Sequence, residues 1–113
     1  MLVKRFAFVV VGALFLSAGA AQAEDVSVKV EFKDGVMTPQ KLDVPAGKPF
    51  VIEVSNTGKS AAEFESKPLK QEKVVAPGKT VKLKVKAVKP GEYKFVDEFH
   101  ENLPTAQGVI VAK

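Results

Sequence analysis

From Val26 onward, apolar and polar residues alternate in short runs that Gly and Pro repeatedly interrupt. A period of two marks a half-buried strand, because successive side chains point to opposite faces. Val26-Ser27-Val28-Lys29-Val30-Glu31-Phe32 has an apolar residue at every second position. Leu42-Asp43-Val44 stops at Pro45-Ala46-Gly47, a turn signal. Phe50, Ile52 and Val54 alternate with Val51, Glu53 and Ser55 before Asn56-Thr57-Gly58 turns the chain. Between Lys79 and Lys86, Val81, Leu83 and Val85 point one way and Lys82, Lys84 and Lys86 the other. Pro90-Gly91 opens a strand from Glu92 to Asp97, and Gly108 to Ala112 forms a final one. No window carries helical periodicity. The pattern predicts an all-β chain, a Greek-key β-sandwich of about seven strands.

The first residues break this pattern. Met1 to Arg5 carries two cations, Phe6 to Ala20 is uncharged and apolar, and Ala21-Gln22-Ala23 supplies the small-x-small site of a signal peptidase. The apolar run is short for a membrane span. Residues 1–23 therefore read as a cleaved signal peptide, leaving one domain over 24–113 that is exported to the periplasm and not inserted in the membrane. Losing Lys4 and Arg5 takes the formal charge from +4 to +2. That weak balance on a mixed-charge surface gives no nucleic-acid footprint. The row Lys82, Lys84, Lys86 reads as a solvated face or an edge strand protected from aggregation, in preference to a docking stripe for an acidic partner.

The chain contains no cysteine, so packing alone must stabilise the domain. The same absence excludes zinc–thiolate, iron–sulfur and blue-copper chemistry. There is no nucleophile triad, phosphate loop or HExxH helix either. Polar residues of interest lie in two places. One is Glu63-Phe64-Glu65-Ser66; the other is Asp97-Glu98-Phe99-His100-Glu101, which holds the sole histidine among three acids. Tyr93, Phe95 and Asp97 share one strand face, and the aromatic pair must be the buried one. Asp97 then points along the core direction, where a carboxylate needs a partner or an ion.

These segments resemble the cupredoxins. Their last two strands read Tyr-x-Phe-x-Cys, two residues, His, a short loop, then Gly and an apolar strand. Tyr93-Lys94-Phe95-Val96-Asp97-Glu98-Phe99-His100 and Gly108-Val109-Ile110-Val111 match that frame, with Asp97 in the place of the cysteine. Glu63 falls where a ligand histidine follows the Asn-x-Gly turn. The chain resembles EfeO-type cupredoxin-like domains, associated with bacterial ferrous-iron uptake, more closely than cupredoxins in general. The shared features are Met37 before Pro39, Val44-Pro45-Ala46-Gly47-Lys48, Asn56-Thr57-Gly58, Glu63-Phe64-Glu65, Ala76-Pro77-Gly78 and Pro90-Gly91-Glu92-Tyr93. No methionine lies between His100 and Gly108, so only Gln107 or Met37 remains as a weak axial ligand.

The resemblance implies a mononuclear site of Glu63, Asp97 and His100, with Met37 as fourth ligand and Glu65, Glu98 and Glu101 around it. Two carboxylates and an imidazole are hard ligands that suit copper(II), iron or manganese, with copper or iron expected and no blue type 1 centre. It also implies a periplasmic accessory of iron uptake, working with a periplasmic iron-binding protein and an inner-membrane iron permease. Such a protein would either oxidise Fe(II) or hand the ion over. Two other readings stay open: a metal-free sandwich serving protein interaction, and a periplasmic electron-transfer protein.

Overall fold

A computed structural model describes residues 26–113; the expected leader lies outside the described residues. Nine strands follow in order: β1 (Val26–Lys33), β2 (Val36–Thr38), β3 (Lys41–Val44), β4 (Phe50–Asn56), β5 (Ala62–Ser66), β6 (Gln71–Val75), β7 (Thr80–Val85), β8 (Gly91–Asp97) and β9 (Gln107–Ala112). Two 3-10 turns, Glu98–His100 and Pro104–Ala106, lie between β8 and β9. The strands form two sheets, one ordered β2-β1-β4-β7 and the other β3-β9-β8-β5-β6. The chain changes sheet after β2, β3, β4, β6 and β7, as a sandwich with crossing connections requires. Among the described residues no helix is long and apolar enough to cross a membrane.

The sandwich is the expected architecture, with more strands than the alternation predicts. The three unanticipated strands are β2, β5 and β6. In β5 the inward positions are Ala62, Phe64 and Ser66, so small residues mute the apolar period. β6 is an edge strand whose only fully buried residue is Val75. β2 is set by its turn: Asp34 and Gly35 both have positive φ (49° and 87°), and β1 and β2 meet in register at Lys33 and Val36. That two-residue Asp-Gly link has the twist that antiparallel neighbours need.

The core lies between the sheets. Phe32 of the first sheet stacks on Phe64 of the second at 6.3 Å between ring centres, and Phe64 stacks on Phe95 at 5.1 Å. Val30, Ile52, Val54, Val85 and Ile110 fill the space around them. β7 forms an edge, and its Lys82 and Lys84 stay exposed while Leu83 and Val85 turn inward, as the alternation predicts. Gly108 lies under this core, where any side chain would collide at 2.6 Å with both Met37 Sδ and the Phe95 ring.

Asn56 ties the end of β4 to its surroundings. Its buried side chain donates to the Ser60 carbonyl (2.9 Å) and the Val75 carbonyl (2.8 Å) and accepts from the Gly58 N–H (2.9 Å). Truncation leaves the Val75 carbonyl buried without that donor. Asn56→Ala is expected to lower unfolding free energy by roughly 2–3 kcal/mol. Urea denaturation followed by tyrosine fluorescence checks this; a loss of less than about 0.5 kcal/mol, the scale of an ordinary surface substitution, would contradict it.

Candidate functional site

Strand parity decides where each anticipated site residue goes. Asp97, last in β8, follows Phe95 inward and is 1% exposed. Its neighbour across the ladder is Phe64 of β5. Asp97 Oδ1 accepts the Glu63 N–H (3.0 Å) and the Phe99 N–H (3.2 Å), and Oδ2 accepts His100 Nδ1 (2.7 Å). The carboxylate thereby caps the 3-10 turn and fixes the imidazole that the turn carries. A carboxylate only accepts, so Nδ1 bears the proton in this pair. On its other side, His100 Nε2 lies 3.3 Å from Ser60 Oγ.

Ser60 extends this network to the first sheet. Its hydroxyl donates to Asp34 Oδ1 (2.8 Å), which also accepts the backbone N–H groups of Lys59 and Ser60 (2.9 Å each). The Ser60 backbone donor leads the causes that hold the Asp34 carboxyl below its ordinary value. Asp34 belongs to the β1–β2 turn, so the hydrogen bonds run from β8 of one sheet to a hairpin of the other.

Glu63 does not join Asp97 and His100 around one point. It alternates with the buried Ala62 and Phe64, so its side chain leaves the opposite face of β5. Only its backbone N–H reaches Asp97. The inward residues on either side of Glu63 are Ala62 and Phe64, neither of which carries a metal donor. This corrects the expected single cluster of Glu63, Asp97 and His100, and the reason is a one-residue difference in register along an alternating strand. Met37 is 3% exposed and packs against Gly108 and Phe95 in the core. Gln107 is exposed and donates to the Glu101 carbonyl.

Outside the sandwich, Glu63 finds other company. Glu63, Glu72 and Glu98 bring carboxylate oxygens to within 4.8 Å of one another. The β5–β6 register explains it: Glu65 stands opposite Glu72, and Glu63 is two positions along on the same face. Glu98, one residue past Asp97, faces outward as Asp97 faces in. Partial burial, then the neighbouring Glu72 and Glu98, push Glu63 up to about 7. Glu65 is raised in the same direction by desolvation and by Glu98. Glu101 is exposed in the following loop. Glu72 was missed by sequence reasoning. Reading Gln71 to Val75 as a strand folded back over Lys67-Pro68-Leu69-Lys70 would have set it beside Glu65.

The pattern of the cupredoxin-like domain family matches residues 5–112. An uncharacterised protein of Rickettsia prowazekii, RP394, is 31% identical over 100 residues, covering 87% of this chain and 78% of that one. Auracyanin A, a "blue" copper protein of Chloroflexus aurantiacus, superposes with a TM-score of 0.66 at 14% identity, over 80% of this chain and all of that one. A purple cupredoxin from Nitrosopumilus maritimus gives a TM-score of 0.57 at 15% identity, over 75% of this chain and 98% of that one. At these identities the structures establish the fold.

A blue-copper donor set is a thiolate, two imidazoles and a weak axial thioether. Here the interior offers Asp97, whose two oxygens already accept three N–H groups, and one imidazole, while the inward β5 residues Ala62 and Phe64 carry no donor. The interior residues do not fit that centre.

The outward acids give a pH signature. Folded, Glu63 keeps its proton up to about pH 7, whereas a carboxyl with the ordinary value of 4.5 releases it earlier. The folded state therefore binds more protons across that window, and stability falls as pH rises through it. On moving from pH 5 to pH 8, the denaturation midpoint should drop further in the wild type than in Glu63→Gln. Equal drops in the two proteins would refute the assignment.

Proposed function

The chain belongs to the cupredoxin-like domain family, and from that premise we propose that it is an exported metal-binding accessory protein holding a transition-metal ion on the outer face of β5 and β6. The observation that carries the reading is the convergence of Glu63, Glu72 and Glu98 within 4.8 Å. Three carboxylates crowded this closely repel one another, and a cation relieves the repulsion. All-oxygen ligands select hard ions, so copper(II), iron and manganese are the candidates and copper(I) is not. Glu65 and Glu101 add negative charge at the rim and draw cations toward the face.

The assignment to ferrous-iron uptake rests on the resemblance of the Glu63-Phe64-Glu65 and Asp97-Glu98-Phe99-His100 segments to EfeO-type domains. In that role the protein works in the periplasm, delivering the ion to a periplasmic iron-binding protein or directly to an inner-membrane permease. Oxidation of Fe(II) on the same carboxylates is the enzymatic form of this reading. Electron transfer is disfavoured, because a buried redox ion has no donor set inside the sandwich.

A metal-free interaction role has one observation of its own. Phe99 and Leu103 are 52% and 40% exposed on either side of His100, and Val36 is 48% exposed beside Gly35, which packs against both His100 and Leu103.

Calorimetric titration of the metal-stripped protein with Cu(II), Mn(II) and, without oxygen, Fe(II) separates these readings. One equivalent should bind, and Glu63→Gln combined with Glu72→Gln should weaken binding at least 10-fold. No heat from any of the three ions sinks the metal reading. If Fe(II) is consumed catalytically once oxygen is admitted, beyond buffer controls, the protein is an oxidase; if not, it is a carrier.

A further inference from the structure

The interior end of the sandwich holds a polar network that the outer acidic face does not use. Asp97, 2% exposed at its side chain, receives three N–H donors from three places: β5 through Glu63, the 3-10 turn through Phe99, and the His100 ring. Both carboxylate oxygens are occupied. His100 Nδ1 is held by Asp97 Oδ2 at 2.7 Å, and Nε2 lies 3.3 Å from Ser60 Oγ. Ser60 passes the connection to Asp34 in the β1–β2 turn. A buried carboxylate is stable only when its charge is compensated, and here the chain supplies the whole compensation from its own N–H groups.

We propose that Asp97 and His100 form a metal-independent closure of the sandwich, a hydrogen-bonded substitute for a metal centre that joins the two sheets at this end. A cation entering here would have to expel the His100 N–H from Oδ2. The inward β5 residues Ala62 and Phe64 carry no donor to receive it, and the Met37 sulfur is committed to the core against Gly108 and Phe95. Gly35 reinforces the closure. Its φ is +87°, and a Cβ there would lie 3.3 Å from the His100 ring and 2.5 Å from Leu103, so the hairpin backbone rests directly on the imidazole. Asp97 and His100 are positioning residues in this account. The inference stands apart from metal capture on the outer face, since the two carboxylate sets leave opposite faces of their strands.

Because His100 is the sole histidine, imidazole 15N spectra of the labelled protein report on it alone. The expected result is an Nδ1–H resonance, slowed in exchange by its bond to Asp97, that is the same in EDTA and with ten equivalents of Zn(II). Its disappearance with a ligation shift of a ring nitrogen would overturn the closure. Asp97→Asn and His100→Gln provide the second measurement. Each should lower the melting temperature by roughly 5–10 °C, by the same amount in EDTA and in zinc, without changing the metal stoichiometry. Destabilisation seen only with metal, or loss of the bound equivalent, would also overturn it. If Asp97→Asn does not fold, the wild-type spectrum still decides. A protein that binds no metal but keeps the Nδ1–H signal retains the closure and loses the proposed function.

Discussion

The rest of this domain's site depends on one buried charge. An unpaired carboxylate in a core costs several kcal/mol, a large share of a small domain's net stability of about 5–15 kcal/mol. Asp97 is tolerated because β5, the 3-10 turn and the His100 ring each bring an N–H to it. Meeting that requirement fixes much else. The turn Glu98–His100 must begin where Asp97 can cap it, β5 must sit where the Glu63 amide faces Oδ1, and His100 must lean inward. Glu98 is then aimed outward by the same backbone. The outer acidic face is thus partly a by-product of the arrangement that satisfies the inner carboxylate.

This separation distinguishes the chain from a blue-copper donor set. In a set of thiolate, imidazoles and a weak axial thioether, the ion itself holds the ligands together. Here Asp97 and His100 are gathered by hydrogen bonds, and the residues with spare coordinating capacity are on the other side of the sheet. Family membership settles the architecture. It does not carry the chemistry across, because function resides in the side chains a fold presents.

The sandwich was legible because β1, β4, β7 and β8 each bury one face and therefore alternate cleanly. The inward aim of Asp97 was legible for the same reason. What the sequence concealed was relative placement. Whether Glu63 or Ala62 points inward turns on a parity that Phe64 alone sets, and Glu63 sat in the frame position of a ligand. Glu72 escaped notice because β6 is an edge strand, mostly exposed and without a strong period. Asp34 and Ser60 are ordinary surface residues until the hairpin and the β4–β5 loop are brought together. None of these is a failure of propensity; each needs knowledge of which strands are neighbours.

The position of β9 in its sheet has an outcome for how the molecule comes to exist. Residues Gln107–Ala112 lie between β3, in parallel, and β8, antiparallel, so the last strand in the chain is interior to the five-stranded sheet. Before those residues are available, β3 has no ladder partner and the core under Ile110 is open. Pairings that join such distant parts of a chain form late and slowly. The five-stranded sheet consequently closes only when Gln107–Ala112 docks between β3 and β8.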